Sequence, residues 1–236
     1  MLYILFFVSV FSFQTLFGGK HFVLISAPGS GKGMFCQYMV KKYDYVQICP
    51  GDLFRKEIEL RTDLGISIAP IIQRGDYVDE EIVCSLVKKH VEKAINQGRH
   101  FIIDGFPRSE ISLLFLADLL RAYGLENECC FLQFIVSDEL SAERILDRIV
   151  CMNCFRVYNR ISCSPIMNNL CDDCGSFLTC RSSDTKEIIY KRLIYFHDHI
   201  EPLIEKAQAK GYLVKKINSQ CSIQQLEVLY EQLLQN

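Results

Sequence analysis

The stretch Ser26-Ala27-Pro28-Gly29-Ser30-Gly31-Lys32-Gly33 lies where a short apolar run ends and a segment of helical periodicity begins. Glycines in such a turn let successive backbone N–H groups point at one phosphate, and the N-terminus of the following helix adds partial positive charge. Lys32 is placed to reach the transferred phosphate. The match is imperfect, because Ser26 stands where the general pattern has its first glycine and Gly33-Met34 stands where Ser or Thr often binds Mg²⁺. The stretch predicts a phosphate-binding loop; the alternative is a Gly-rich turn with a solvated lysine.

Strand-like and helix-like segments alternate outward from this loop. The strand candidates are short, mostly apolar and bounded by turn residues: His21–Ser26, Tyr45–Ile48, His100–Asp104, Cys130–Val136 and Tyr212–Ile217. The helix candidates carry apolar residues at three- and four-residue spacing: the segment from the loop to Tyr43, Glu80–Asn96, Leu140–Ile149, Lys186–Ala209 and Ile223–Leu234. This alternation predicts an α/β fold with a parallel five-stranded sheet covered by helices.

Composition excludes several classes of protein. The chain has 236 residues, 26 Lys and Arg against 28 Asp and Glu, and a net charge of −2. A charged fraction of 23 % with 11 % aromatic residues excludes a disordered chain. Near-neutral charge argues against nucleic acid or a stable membrane partner, since both need a clear cationic excess.

Residues 1–19 form an apolar N-terminal extension. Leu2 to Phe17 is almost wholly apolar but shorter than the about 20 residues that span a membrane. A secretory signal would need a basic n-region and a small-residue cleavage site, and neither is visible. A signal-like segment and a weak anchor remain alternatives. We expect this extension not to be part of the fold.

Four cysteines have the spacing of a metal site. Cys151 and Cys154 are separated by two residues, as are Cys171 and Cys174, with sixteen residues between the pairs. This pattern is typical of a tetrahedral structural Zn²⁺ site, in which the metal replaces a hydrophobic core. The alternatives are a pair of disulfides, free thiols or another thiophilic metal. A thiolate site and many free thiols favour a reducing cytoplasm.

Three motifs in order resemble the adenylate kinase (nucleoside monophosphate kinase) family. They are SAPGSGKG, Gly51-Asp52-Leu53-Phe54-Arg55 and Asp104-Gly105-Phe106-Pro107-Arg108, and the resemblance runs from about His21 to the C-terminus. The four-cysteine segment is similar to the zinc lid of the long-form members. The resemblance implies a P-loop kinase with a core (20–48, 79–146 and 185–236), a helical monophosphate-binding segment (49–78, the acceptor segment) and a zinc-ribbon-like lid (147–184, the lid segment).

The resemblance also implies the reaction, which is reversible Mg²⁺-dependent transfer of the terminal phosphoryl group of ATP to AMP, giving two ADP and serving nucleotide homeostasis. Such a reaction needs positioning and cations rather than a general base, and arginine suits it because its planar fork binds phosphate bidentately. The acceptor and lid segments would close to exclude water. The implied partners are ATP and AMP, and the implied state is a monomer.

The residues carried over by the resemblance fall into three sets. Those implied to act on the transferred group are Lys32, Asp104, Arg108, Arg148, Arg181, Arg192 and Asp184. Those implied to bind ATP are Gly29, Ser30, Gly31, Lys32, Gly33, Met34, Arg144, Arg148, Val157, Tyr158 and Cys221. Those implied to bind the acceptor are Pro50, Arg55, Asp76, Tyr77, Val78, Gly105, Phe106, Pro107, Arg108, Ser112, Arg181 and Arg192.

Individual roles follow from the same resemblance. Asp104 would orient the waters of Mg²⁺, with help from Asp52, and Asp184 would contribute to closing the lid segment. Arg148 would hold the donor phosphates. Arg144, expected one helical turn earlier on the same helix face, would lie against the donor base.

Three positions depart from the family pattern at the acceptor end. Pro50 stands where a Thr hydroxyl is usual, Ser112 where a Gln amide is usual, and Asp76 where a Lys is common. Each lost contact to a base reduces discrimination by ~1–3 kcal/mol. We therefore expect weaker or broader acceptor selection than is usual in the family. The alternatives are a kinase of the same fold for another monophosphate and an inactive nucleotide- or zinc-binding module, against which Lys32, Asp104 and the six arginines argue.

Overall fold

The computed structural model describes residues 21–221 and 223–235, so the predicted N-terminal extension lies outside the described residues. The central sheet has five parallel strands in the order β2-β3-β1-β4-β8. Their bounds are β1 His21–Leu24, β2 Val46–Ile48, β3 Phe101–Asp104, β4 Cys129–Ile135 and β8 Leu213–Asn218. Strands β5 Arg148–Cys151, β6 Val157–Asn159 and β7 Leu178–Thr179 form a separate antiparallel sheet in the lid segment.

Helices cover the central sheet and form the acceptor segment. They are α1 Lys32–Tyr43, α2 Pro50–Glu59, α3 Asp63–Gln73, α4 Glu80–Asn96, α5 Glu110–Ala122, α6 Asp138–Leu146, α7 Lys186–Tyr195, α8 Pro202–Ala209 and α9 Ile223–Gln235. A 3₁₀ turn, Glu126–Glu128, precedes β4, and a π-helical segment, Phe196–Ile200, joins α7 to α8. No helix in the described part of the chain combines the length and apolar content that would cross a membrane.

The central strands β1, β3 and β4 each contribute to two hydrophobic clusters because their side chains alternate between the faces of the sheet. Val23, Ile103 and Phe131 pack on one face with α4, α5 and α8. Phe22 and Leu132 pack on the other with α1 and α9. The predicted α/β class and five-stranded parallel sheet are confirmed.

Two predicted helices end differently from the prediction. The helix expected over Leu140–Ile149 stops at Leu146, and Arg148 begins β5 instead. The helix expected over Lys186–Ala209 is interrupted by the π-helical segment before Pro202, which lacks the N–H of a continuing helix. Helix α5 was not predicted, because its apolar residues are too dense to show a clear period.

The acceptor segment is a pair of crossing helices. Thr62 caps α3 by accepting a hydrogen bond from the Gly65 N–H at 3.0 Å. Gly65 lies so close to α2 that a Cβ there would be 2.1 Å from the carbonyl oxygen of Glu57. Only glycine allows the two helices to approach at this point.

The lid segment folds around a much smaller core. The members of this core cluster are Ile149, Cys151, Tyr158, Cys171 and Leu178. Arg148 enters the segment and Asp184 leaves it, and the two side chains form a bidentate ion pair with N–O distances of 2.9 and 2.6 Å. The two ends of the lid segment are therefore held together at its base.

Candidate active site

A cleft of about 1060 Å³ opens beside the carboxyl ends of β1, β2 and β3. Ligands of open α/β sheets bind at this edge, where strands end and helices begin. The cleft is lined by the Gly-rich loop after β1, by the start of α2, by the loop after β3 and by residues of the lid segment.

The Gly-rich loop has the backbone of a phosphate cradle. Gly29 and Gly31 have φ of +73° and +94°, values that side-chain-bearing residues rarely adopt. A Cβ at Gly29 would also be 2.5 Å from the carbonyl oxygen of Ser141. Gly31 caps α1, so the N-terminus of that helix lies at the loop.

Ser26, the departure from the general loop pattern, has a structural role. Its Oγ accepts a hydrogen bond from the Phe134 N–H at 2.8 Å and lies 3.5 Å from the carbonyl oxygen of Leu132. The hydroxyl thereby ties the end of β1 to β4, which a glycine could not do.

The Lys32 ammonium is folded back into the loop. Its Nζ donates to the carbonyl oxygens of Ser26 at 3.0 Å and Ala27 at 2.6 Å, and lies 3.4 Å from Ser30 Oγ. Desolvation lowers the pKa of Lys32, against the attraction of Asp104. Desolvation also raises the pKa of Asp104. Both groups line the cleft, and the opposite charge of each favours the ionised form of the other.

Buried guanidinium groups line the wall opposite the loop. Asp52 accepts hydrogen bonds from Arg55 and, at 3.1 Å, from Arg181. Burial alone would raise the pKa of Asp52, but the two arginines outweigh it and lower that pKa. Desolvation, together with the positive charges of Arg55 and Arg148, lowers the pKa of Arg181 to about 10.

Arg55 and Arg181 each have one N–H donor that no described residue accepts from. The Nε atoms of Arg55 and Arg181 are buried and have no hydrogen-bond partner among the described residues. Buried donors without partners are costly, so a cleft that keeps two of them is suited to an anionic ligand that accepts from both.

Arg144 and Arg148 both line the cleft, but they do not share a helix face. Arg144 lies in the last turn of α6 and donates to the Ser219 carbonyl at 2.9 Å, whereas Arg148 is the first residue of β5. The expectation of two arginines one helical turn apart is therefore wrong, because α6 ends between them.

The predicted acceptor-base contacts offer little to a ligand. Pro50 is buried at the first position of α2. Ser112 is 1 % exposed, and its Oγ accepts from the backbone N–H groups of Arg108 at 3.0 Å and Ser109 at 2.9 Å. That hydroxyl is used within the capping box of α5 rather than displayed to the cleft.

Aromatic and charged residues complete this end of the cleft. The guanidinium carbon of Arg108 lies 4.9 Å from the centre of the Tyr77 ring, which in turn contacts the Tyr195 ring at 4.3 Å. Asp76 pairs with Lys191 at 2.6 Å and with Arg74 at 3.0 Å, so its carboxylate is directed to α7.

The four predicted metal-binding cysteines meet in the lid segment. Their sulfur atoms all lie within 4.8 Å of one another, with Cys151–Cys174 and Cys154–Cys171 separations of 3.4 and 3.5 Å. Four thiolates around Zn²⁺ at about 2.3 Å from the metal would be about 3.8 Å apart. No disulfide joins any of the twelve cysteines. The donor set and its geometry fit a closed tetrahedral metal site.

Every residue predicted to contact nucleotide lines the cleft except Asp184, which forms an ion pair with the lining residue Arg148. Val157 lies across from the loop, 3.7 Å from the Cβ position of Gly33. The Tyr158 side chain is instead packed in the lid core, with its hydroxyl accepting from the Asp172 N–H at 2.7 Å. Val157 is therefore the better candidate of the two for contact with a base.

Sequence reasoning missed several lining residues. They are Gln47, Phe54, Glu80, Ser109, Phe155 and Tyr195. Phe155 follows the first cysteine pair with a φ of +60°, and no sequence signal marked it. Glu80 and Ser109 are residue types common at helix starts, so their identity in the sequence gives no signal of a binding site.

The chain is similar to known proteins over most of its length. A sequence model of the family described as "Adenylate kinase" matches residues 24–212. "Adenylate kinase" of Thermococcus kodakarensis is 34 % identical over 193 residues, which cover 82 % of this chain and 84 % of that protein. "Adenylate kinase" of Photorhabdus laumondii subsp. laumondii is 36 % identical over 189 residues, covering 80 % and 86 %. "Adenylate kinase" of Thermosipho africanus is 31 % identical over 191 residues, covering 81 % and 88 %.

Proposed function

The chain belongs to the adenylate kinase family, and from that premise we propose that it transfers the terminal phosphoryl group of ATP to AMP, giving two ADP. One observation carries the proposal. A single cleft brings together the phosphate loop, Lys32 and two arginines whose buried Nε donors lack partners among the described residues. Phosphoryl transfer requires this combination, because charge spreads over the phosphoryl oxygens and must be met by fixed donors.

The loop and Arg148 are proposed to hold the phosphates of ATP, and Arg55 and Arg108 the phosphate of AMP. Arg181 and Arg192 would close over both. The Asp52 carboxylate forms ion pairs with Arg55 and Arg181. An incoming phosphate would therefore replace a carboxylate that these arginines already bind. The attacking group is a phosphate oxyanion, and no side chain has to remove a proton from it.

The residues at the floor of the cleft fit Mg²⁺. The Asp104 carboxylate has one hydrogen-bond partner among the described residues, Gln47 Nε2 at 3.4 Å, which leaves oxygen donors for magnesium-bound waters. Gly33 and Met34 supply no side-chain oxygen, so Asp104, with help from Asp52, is the candidate holder. When bound with ATP, the ion would neutralise charge on the phosphate oxygens.

Closure of the acceptor and lid segments is proposed to exclude water, which would otherwise take the phosphoryl group. In the lid segment the four cysteines would hold Zn²⁺ in a structural role, since four protein ligands leave no open position. We also propose that the protein acts as a monomer in a reducing cytoplasm, which light scattering of the purified chain and cell fractionation would test.

The test is ADP formation from ATP and Mg²⁺ with AMP, CMP, UMP and GMP offered separately to the full chain. We expect turnover with AMP, and loss of ~10²–10³-fold in kcat for Lys32→Met. Lys41→Met, an exposed lysine on the same helix, is the matched control and should keep full activity.

Other outcomes identify the alternatives. Preference for a different monophosphate would assign a kinase of the same fold for that acceptor, an alternative favoured by Pro50 and by the occupied hydroxyl of Ser112. Nucleotide binding without turnover on any acceptor would contradict the proposed activity and leave an inactive binding module.

A further inference from the structure

The acceptor end of the cleft lacks the side-chain donors and acceptors expected there. Pro50 has no side-chain hydrogen-bonding group, and the Ser112 hydroxyl is taken up by backbone N–H groups. The polar edge of a base bound here would find no side-chain hydrogen-bond partner at Pro50 or Ser112. Another side chain would have to supply that contact.

Glu80 is the side chain that reaches this gap. It lies in the first turn of α4, is half-buried and lines the cleft together with Ser109 and Ser112. Its Oε1 accepts a hydrogen bond from Ser109 Oγ, which lies 3.0 Å from Ser112 Oγ. Its Oε2 has no hydrogen-bond partner among the described residues.

An ionised carboxylate only accepts hydrogen bonds. A base that presents an exocyclic amino group to Glu80 would therefore gain a charge-assisted bond, while one that presents a carbonyl oxygen would place two acceptors face to face. Adenine and cytosine carry such an amino group, whereas hypoxanthine and uracil carry a carbonyl at the equivalent ring position.

We propose that Glu80, anchored by Ser109, is the specificity-determining residue of the acceptor pocket and selects nucleoside monophosphates whose base carries an amino group at C6 of a purine or at C4 of a pyrimidine. This inference rests on the proposed function, since it concerns the acceptor of the same reaction. It narrows the broad acceptor selection expected from Pro50 and Ser112 to one chemical class, with AMP and CMP as members.

The test compares kcat/KM for AMP with that for inosine monophosphate, which differs from AMP by a carbonyl in place of the amino group. We expect the parent chain to favour AMP by about tenfold or more. Glu80→Gln should reduce this ratio by about tenfold, losing activity with AMP and gaining it with inosine monophosphate, because an amide can donate to the carbonyl. The KM for ATP should not change.

The matched control is Glu81→Gln. Both glutamates lie in the first turn of α4, where a negative charge interacts favourably with the helix dipole, but only Glu80 bonds to Ser109 and lines the cleft. Glu81→Gln should leave the ratio of the two acceptors as it is in the parent chain.

Several results would overturn the inference. They are an equal loss for both acceptors in Glu80→Gln, an unchanged ratio, or a parent chain that accepts both equally. If Glu80→Gln does not fold, Ser109→Ala replaces it, and equilibrium binding of the two monophosphates should show a reduced preference for AMP; an unchanged preference would overturn the inference. Failure of the proposed function would look different, since the parent chain would then turn over no monophosphate.

Discussion

The acceptor segment and the lid segment both border the cleft, yet they are folded by different means. The acceptor segment is two helices with a cap at Thr62, a close crossing at Gly65 and buried apolar side chains such as Phe54 and Ile68. The lid segment has three short strands, and two of its five buried core residues are cysteines of the four-sulfur cluster. One segment is held by hydrophobic packing, which tolerates no extra atom at its tightest contact, and the other is built around a four-cysteine cluster that fits a metal ion.

The largest expected effect comes from the metal site. Cys171→Ser should remove metal from the protein and unfold the lid segment, since structural Zn²⁺ sites contribute on the order of 10 kcal/mol of folding free energy. Hydrogen exchange followed by mass spectrometry should show lost protection in residues 147–184 and unchanged protection in residues 49–78.

The control for this variant is Cys180→Ser, an exposed cysteine of the same segment that is not in the four-sulfur cluster. It should keep the metal content of the parent chain, measured by elemental analysis. Equal metal content and equal melting temperature in Cys171→Ser and the parent chain would contradict the structural-metal assignment.

The corresponding experiment on the acceptor segment is Gly65→Ala. The added Cβ would meet the Glu57 carbonyl oxygen at 2.1 Å, and neither backbone can move without separating the two helices. We expect a loss of about 3 kcal/mol in the free energy of unfolding, measured by urea denaturation, with metal content unchanged. Ser67→Ala, an exposed position on the same helix, should be nearly neutral; a neutral Gly65→Ala would show that the crossing is not tight.

An intermediate effect is expected at the base of the lid segment. Asp184→Asn breaks the bidentate pair with Arg148, whose side chains are only 4 % and 17 % exposed. We expect about 2 kcal/mol of destabilisation and a lower kcat, because Arg148 would no longer be held toward the cleft. The control Asp118→Asn breaks an exposed pair with Arg121 and should change neither stability nor kcat. Equal effects of Asp184→Asn and Asp118→Asn would contradict the role given to the Arg148–Asp184 pair.

The smallest effect is expected at Asp76, which joins the acceptor segment to α7 through Lys191. The pair is exposed, so Asp76→Asn should change the KM for AMP by less than about twofold, and this small change should vanish at high salt. A large effect that persists at high salt would mean that this contact, rather than the helix crossing, sets the position of the acceptor segment.

Much of this arrangement could be predicted from the sequence, because its signals are local. The loop around Gly29–Lys32 and the strand before Asp104 were identified by turn residues and apolar runs, and the cysteine spacing predicted a cluster whose sulfurs do meet. The sites of the individual arginines followed from the family resemblance.

The features that the sequence did not predict depend on contacts between segments distant in the chain, and local sequence patterns do not reveal such contacts. Helical periodicity continued through Asp147, so the sequence did not show that Arg148 begins a strand. The family resemblance gave Ser112 as an acceptor contact, whereas its hydroxyl accepts from the backbone N–H groups of Arg108 and Ser109. In the sequence, Glu80 is an acidic residue of the kind common in the first turn of a helix. Only the fold brings it beside Ser109.

The joined ends of the lid segment have a consequence for how this protein can change. Because Arg148 and Asp184 meet, the chain leaves and re-enters the core at nearly one point. A segment anchored in this way can be lengthened, shortened or refolded without altering the distance that the core must bridge. The lid segment is thus an interchangeable insert, and a metal-free loop grafted between these two residues would leave the five-stranded sheet unaltered.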